Sequence, residues 1–166
     1  MAFKKFLILI IMLTISILFS HFVFFIFQKE KPETENQELI TLKAFFNNNK
    51  MDPEISCNKV FPVERKVAKT EGVARAALEE LLKGPTEEEK AEGFFTSINP
   101  GVKIQRLSIN DGLAKVDFDL QLEFQVGGSC RVSAIRAQIT QTLKQFPTVN
   151  DVLISIDGRT EDILQP

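Results

Sequence analysis

Apolar residues follow two different patterns along this chain. Residues 6–27 form an uninterrupted apolar stretch without Asp, Glu, Lys or Arg, whereas later segments alternate between apolar and polar positions. At about 1.5 Å per residue the first stretch would be roughly 33 Å long as a helix, and the hydrocarbon core of a bilayer is about 30 Å thick. The pattern therefore predicts one transmembrane helix followed by a folded domain of ordinary polarity.

The residues that flank the apolar stretch predict its orientation. Lys4 and Lys5 precede it, and positive charge on a short flank favours the cytoplasmic side of the membrane. The stretch continues past its best small-residue cleavage motif at 18–20, which favours a retained anchor over a cleaved signal peptide. We therefore expect a short cytoplasmic end (1–5), a transmembrane signal-anchor helix (6–27), a polar linker (28–37) and an extracytoplasmic domain (38–166).

Inside the domain, the hydrophobic period changes between two residues and about 3.6 residues. Alternation predicts strands, and the segments that alternate are 38–47, 60–67, 103–109, 113–119 and 149–156. Pro62 favours an edge position or a bulge for the second of these strands. Helical spacing predicts three helices, with Thr70, Thr86 and Ser129 as their N-caps. Thr86 would form a capping box with Glu89.

The order of these elements predicts an α+β fold. We expect a small mixed sheet with two main helices on one face, built on a helix-hairpin-helix-strand core plus N-terminal strands. Asn110-Asp111-Gly112 is typical of a tight hairpin turn. The helix that follows Ser129 is long enough to cross between two parallel strands.

Composition narrows the functions that the domain can have. The chain has 20 Lys and Arg against 22 Asp and Glu, a formal net charge of −2, and a single His. Such a balance excludes the basic footprint of nucleic-acid binding, and one His excludes catalytic or metal sites built from several. The 15 Phe are accompanied by no Trp or Tyr, so the best sugar-stacking side chains are missing.

Asp117 and Asp119 form the main candidate for catalytic chemistry. Two residues apart on a strand, their side chains would lie about 7 Å apart on one face, within the range of an inverting glycosidase. The alternative buries Val116 and Phe118 and leaves both carboxylates in water. We favour this alternative, because no predicted apolar pocket would raise the pKa of either carboxyl.

Three other features have both a functional and a structural interpretation. His21 is either a proton relay or a neutral imidazole without a partner in the membrane. The acidic run 87–89 either binds a cation or complements a helix dipole. Gly127-Gly128-Ser129 either binds an anion or bends the chain into a helix. We favour the structural interpretation of each, so we predict no enzyme activity and no catalytic, cofactor-binding or metal-binding residue.

Cys57 and Cys130 are the two cysteines of the chain, and both lie in the predicted extracytoplasmic domain. In an oxidising compartment an even pair favours a disulfide over free thiols. Two thiols alone do not complete a zinc site, and the spacing is not C-x-x-C. The predicted bond would span 73 residues, which is worth roughly 4 kcal/mol in the chain-entropy account of disulfides.

Three segments of the domain carry a family resemblance. They are Ala76-Ala77-Leu78-Glu79-Glu80-Leu81-Leu82-Lys83-Gly84-Pro85-Thr86, Asn110-Asp111-Gly112-Leu113-Ala114-Lys115-Val116-Asp117-Phe118 and Thr142-Leu143-Lys144-Gln145-Phe146-Pro147-Thr148-Val149. With them, residues 40–158 resemble the GerMN domain family. The resemblance implies a bacterial extracytoplasmic module that is tethered to the cytoplasmic membrane and similar to ring-building folds, without established catalytic residues.

We therefore expect a non-catalytic protein-binding or assembly module of the bacterial cell envelope. Its expected partners are the cytoplasmic membrane, through residues 6–27, and other proteins or further copies of the chain. The alternative is a protein that binds peptidoglycan or, as the weaker form, hydrolyses the cell wall through Asp117 and Asp119. Pull-down with purified peptidoglycan distinguishes the two expectations.

Overall fold

The computed structural model describes residues 12, 16, 19–21, 38–54 and 56–165. The chain divides into two units, Met1–Asn36 and Gln37–Pro166. In the first unit the described residues are helical and exposed. Most of the predicted transmembrane helix at 6–27 lies outside the described residues. Among the residues that are described, no helix is long and apolar enough to cross a membrane.

The described residues of the second unit form two separate three-stranded sheets. The first sheet is antiparallel, in the order β2-β1-β3, and consists of β1 (Leu39–Asn48), β2 (Phe61–Ala68) and β3 (Phe94–Phe95). The second has the order β4-β5-β6 and consists of β4 (Ile104–Asn110), β5 (Leu113–Phe118) and β6 (Asp151–Ile156). In this sheet β4 is antiparallel and β6 is parallel to β5.

The α+β class is therefore confirmed, but the expectation of one small mixed sheet needs a correction. Only the second sheet is mixed, and the N-terminal strands form a sheet of their own. The physical reason lies in β1. It pairs with β2 along one edge, and on the other edge it pairs with β3 only at Asn47 and Asn48.

Among the residues that the structure describes, three α-helices and one short 3-10 turn complete the domain. They are α1 (Val73–Leu82), α2 (Glu87–Ala91), the 3-10 turn (Leu120–Leu122) and α3 (Ser129–Lys144). As predicted, α3 crosses between the parallel strands β5 and β6. It contacts β1 and β6, so one helix packs against both sheets, and α1 packs against β1 and α3. The fully buried side chains of this core include Phe46, Leu78, Leu81, Val116, Phe118, Leu122, Ile135, Ile139, Leu143 and Ile156.

Two of the predicted local signals are present as expected. Asp111 and Gly112 have φ values of 50° and 81°, and positive φ at both central residues defines the type I′ turn that suits a two-residue hairpin. The Thr86 hydroxyl accepts a hydrogen bond from the Glu89 N–H, and the Glu89 carboxylate accepts one from the Thr86 N–H. These two signals depend on residues that are neighbours in sequence.

The predicted N-caps Thr70 and Ser129 are wrong. Gly72 precedes α1, and the Thr70 hydroxyl instead accepts a hydrogen bond from the Gly72 N–H at 3.2 Å in the turn before the helix. Gly128 precedes α3 with φ of 86°. That left-handed conformation suits glycine, and it places Ser129 inside the first helical turn.

Candidate functional site

The predicted disulfide between Cys57 and Cys130 is present. It joins the loop between β1 and β2 to the first turn of α3. Asn47 also holds this loop, because its Nδ2 donates to the carbonyl oxygens of Cys57 at 3.1 Å and Lys59 at 3.0 Å. The bond thus fastens the first sheet to the helix that also packs on the second.

Asp117 is buried, whereas we expected it to lie in water. Its side chain is 8% exposed, and its Oδ1 accepts hydrogen bonds from Ser155 Oγ at 2.7 Å and from the Gly158 N–H at 2.8 Å. Burial raises the pKa of this carboxyl, but these two hydrogen bonds and the nearby Arg106 guanidinium outweigh burial and lower the pKa. A carboxyl with a lowered pKa stays ionised and is unsuited to be the general acid of a glycosidase.

Asp119 does not share a site with Asp117. Strand β5 ends at Phe118, and Asp119 begins the 3-10 turn, where its Oδ1 accepts a hydrogen bond from the Lys103 N–H at 3.0 Å. Asp117 instead lines a cavity of about 180 Å³ on the outer face of the second sheet, together with Arg106, Ser108, Lys115, Ser155 and Gly158. Its Oδ2 accepts no hydrogen bond from the described residues. The two carboxylates serve different local structures.

The acidic run 87–89 contributes one residue to a half-buried ion cluster. Glu89 accepts hydrogen bonds from both terminal nitrogens of Arg65 on β2, one of them at 2.7 Å, and Glu80 on α1 lies 3.8 Å from Arg65 Nε. The Arg65 guanidinium also lies 5.9 Å from the centre of the Phe46 ring, within the range of a cation–π interaction. The hydrogen bonds from Arg65 are the main cause that lowers the pKa of Glu89. This cluster joins β2 to α1 and α2.

The remaining candidates bring no ligand groups together. Among the described residues, no group of three or more His, Cys, Asp or Glu is arranged to hold a metal ion. His21 belongs to the described helical residues of the first unit and is exposed. Gly127 and Gly128 lead into α3, and Arg131 in its first turn donates to the carbonyl oxygens of Ser97 at 3.3 Å and Gln125 at 3.1 Å.

A row of polar side chains on α3 closes the second edge of β1, and we did not predict it. Thr142 Oγ1 accepts a hydrogen bond from the Phe45 N–H at 3.1 Å. Gln145 accepts from the Lys43 N–H at 2.9 Å and donates to the Lys43 carbonyl at 2.7 Å, as a neighbouring strand would. One and two turns before them, the fully buried Gln138 donates to Asn47 Oδ1 at 2.7 Å. The polar spacing at 138, 142 and 145 on an otherwise apolar helix face was the available signal.

The second sheet differs from the first because neither of its outer edges is paired with another described strand. In β4, Asn110 and Leu113 close the two-residue hairpin, so Leu107 and Ile109 direct their backbone N–H and C=O groups away from β5. Directly after β6 the Asp157 N–H donates to the Phe118 carbonyl in β5. On the outer side, the Ile156 N–H donates to the Arg159 carbonyl, and the Arg159 N–H donates back to the Ile156 carbonyl. By alternation, Val152 and Ile154 also direct their backbone groups outward.

A groove follows the outer edge of β4. It has a volume of about 390 Å³ and is lined by the start of α1, including Val73 and Ala74, and by Leu107, Ser108 and Ile109. Because the lining takes side chains from both faces of β4, the groove lies along the edge of the strand. Beyond Arg75, which lines both, a second space of about 380 Å³ continues between α1 and residues 101–104.

This architecture is that of a class of small α+β domains, and solved structures with the same fold exist. Similarity is found to the first GerMN domain of the sporulation protein GerM from Bacillus subtilis, with a TM-score of 0.54, 21% identity, and coverage of 73% of this chain and 85% of that chain. The tandem GerMN domains of the same protein match with a TM-score of 0.54 and 17% identity over 74% of this chain and 41% of theirs. At these identities the likeness establishes the fold.

A family model establishes the family. The model named Germane, described as sporulation and spore germination, matches residues 43–162. The chain therefore belongs to this GerMN-domain family, as the resemblance predicted. No protein with a curated description matches the chain.

Proposed function

We propose that the chain is a membrane-anchored, non-catalytic protein-binding or assembly module of the bacterial cell envelope. The observation that carries the proposal is the second sheet, whose two outer edges lack a partner strand among the described residues. Unpaired strand edges are templates for pairing with another chain. In contrast, the carboxylates that suggested catalysis are engaged by Ser155, Gly158 and Lys103 within the domain.

The proposed location is the cytoplasmic membrane, with the N terminus in the cytoplasm and the domain on the extracytoplasmic side. The charge-free apolar residues 6–27 and the lysines before them support this orientation. The disulfide supports an oxidising compartment for the domain. Sequencing the N terminus of the mature protein tests the anchor, because a start near His21 would mean that the segment is cleaved.

Cross-linking of the full-length chain in its own membrane, followed by mass spectrometry, tests the assembly proposal. We expect cross-links between copies of the chain, or repeated cross-links to one foreign protein. An absence of both, together with co-sedimentation of the chain with peptidoglycan at moderate salt, would contradict the proposal.

A second candidate function is peptidoglycan binding at the Asp117 cavity. The observation that favours it is the buried Oδ2 of Asp117, which lacks a hydrogen-bond donor among the described residues and belongs to a cavity with two basic side chains. Pull-down with purified peptidoglycan, before and after Asp117→Asn and Asp119→Asn, tests this candidate. Binding that Asp117→Asn removes and Asp119→Asn leaves would support it.

A further inference from the structure

We infer that copies of this chain assemble head to tail, with the β4 edge of one copy pairing with the β6 edge of the next. The inference rests on the proposed assembly function and names the surface that carries it. It would join the second sheets of neighbouring copies into one continuous sheet. A contact between two different patches repeats from copy to copy, so the product is a ring or a filament.

Strand direction permits this pairing along β6 as far as Ile154. Beyond that residue, the outward N–H and C=O groups of Ile156 are already hydrogen-bonded to Arg159 of the same copy. Within one copy, β4 is antiparallel to β5 and β6 is parallel to β5, so β4 and β6 run in opposite directions. When a second copy extends the sheet with the same face inward, its β4 lies antiparallel to the β6 of the first copy. Antiparallel ladders have the more direct hydrogen bonds.

The outward backbone groups and the side chains of the two edges also match. Leu107 and Ile109 on β4, and Val152 and Ile154 on β6, direct their backbone groups outward while their side chains pack toward the hydrophobic core. Antiparallel pairing of Leu107 with Ile154 and of Ile109 with Val152 keeps all four apolar side chains on the inner face. A register slip by one residue would break this match, because it moves a strand's side chains to the other face.

The space for an added strand exists beside β4. Adjacent strands lie about 4.8 Å apart, and the groove of about 390 Å³ between α1 and β4 lies along that edge. Its wall contains the apolar side chains of Val73, Leu107 and Ile109. An entering β6 would cover these side chains.

Charge selects the second copy's β6 as the occupant. Lys103 and the 81% exposed Arg106 lie at the start of β4. In the antiparallel pairing they approach the end of β6, where Asp157 is exposed and the charge of the neighbouring Arg159 is held in an ion pair with a glutamate of its own copy. Pairing of two β6 edges would instead bring Asp151 of one copy toward Asp157 of the other, and like charges across a ladder are destabilising.

Engineered cysteines test this register in the full-length chain in its own membrane. The inferred pairing places Ser108 of one copy opposite Leu153 of the next, both on the outer face and in a non-hydrogen-bonded pair with Cα atoms about 4.5 Å apart. A disulfide fits that distance. Inside one copy β5 separates these residues, so their Cα atoms are about 9.6 Å apart and beyond disulfide reach.

Two differently tagged copies, one with Ser108→Cys and one with Leu153→Cys, are co-expressed and mildly oxidised. We expect a cross-linked dimer that contains both tags, and we expect the same for Asn110→Cys with Asp151→Cys. The control pair Ser108→Cys with Ser155→Cys is two residues out of register and should give several-fold less product. A chain that carries both Ser108→Cys and Leu153→Cys should give a ladder of higher oligomers.

Two results would overturn the inference and are distinct from failure of the proposed function. A dimer of Ser108→Cys chains alone would indicate a two-fold contact between β4 edges. Abundant lysine cross-links between wild-type copies, without any product from either in-register pair, would keep assembly and exclude this interface. If wild-type copies give neither self-cross-links nor a foreign partner, both the interface and the proposed function are wrong.

Discussion

The two sheets of the domain treat their outer edges in opposite ways. The first sheet is closed, because β2 carries Pro62, and because the side chains of Thr142 and Gln145 bind the backbone of β1. Proline is one of the devices that natural proteins use to protect sheet edges. The second sheet has no proline in β4 or β6, and its outward backbone groups at Leu107, Ile109, Val152 and Ile154 meet no described strand.

This difference suggests that the open edges are a property of one sheet rather than of the whole domain. The same helix, α3, packs against both sheets. Its row of polar side chains, Gln138, Thr142 and Gln145, binds β1. The first sheet is therefore closed at both edges, and the second sheet carries the open edges at which we propose that a partner binds. Substitutions on the two sides of this contrast should therefore have different effects.

Loss of the disulfide should have the largest effect on stability. The double substitution Cys57→Ser and Cys130→Ser removes a cross-link that spans 73 residues, and the chain-entropy account predicts a loss of roughly 4 kcal/mol in the free energy of unfolding. Chemical denaturation of the variant and of the wild type measures it. A loss below about 1 kcal/mol would show that the bond is not a main support of the first sheet.

Removal of the Arg65 cation should have the next largest effect on the free energy of unfolding. The contribution of this cluster to stability should depend on pH. Arg65→Met leaves the half-buried Glu89 and Glu80 without their cation, so we expect a loss of about 1–3 kcal/mol. Lys66→Met, on the exposed face of the same strand, is the matched control and should change little.

The lowered pKa values of Glu89 and Asp117 set the direction of the pH effect. A carboxyl with a folded-state pKa below its unfolded value stabilises the fold above the unfolded pKa, which is about 4 for these residue types. That stabilisation is lost as the pH falls through the folded-state pKa. Glu89→Gln should therefore flatten the decrease of stability below about pH 4, and an unchanged pH profile would contradict the assignment.

Removal of a hydrogen bond at the closed edge of β1 should have a moderate effect on stability. Thr142→Val conserves the shape of the fully buried side chain and removes the acceptor of the Phe45 N–H, so we expect a loss of about 1–2 kcal/mol. Thr140→Val on the half-buried part of the same helix is the matched control. Thermal unfolding of the two variants compares them, and equal values would mean that the hydrogen bond from Phe45 contributes nothing.

Protecting an open edge should have the smallest effect on stability. Leu153→Lys adds a charge to the outer face of β6, where the side chain is 39% exposed, and surface substitutions usually change stability by less than about 0.5 kcal/mol. We expect self-cross-linking of the chain to fall while the fold is unchanged. Leu120→Lys is the control, because Leu120 is 55% exposed and lies outside both edges. Equal cross-linking of the two variants would contradict the open-edge account.

Features that depend on nearby residues could be predicted from the sequence. The type I′ turn at Asp111 and Gly112 and the Thr86–Glu89 capping box follow from residue chemistry within four positions. The polar closure of β1 could not be predicted in the same way, because Phe45 and Thr142 are 97 residues apart and meet only through packing of α3.

The burial of Asp117 in the candidate site could not be predicted for the same reason. Alternation along β5 placed it opposite the core, but the residues that cover it, Ser155 and Gly158, follow 38 and 41 positions later. Their approach depends on β6 adding in parallel to β5. Its burial and lowered pKa thus arise from the topology of the sheet, which single-strand patterns do not contain.

Hydrogen–deuterium exchange at individual amides tests the contrast between the sheets most directly. In isolated full-length chains we predict slow exchange at Lys43 and Phe45, which donate to α3, and fast exchange at the outward amides of Leu107, Ile109, Val152 and Ile154. In assembled chains these four amides should also become slow. If they are already as protected as Phe45 in isolated chains, or if they stay fast after assembly, the account of a closed sheet and an open sheet is contradicted.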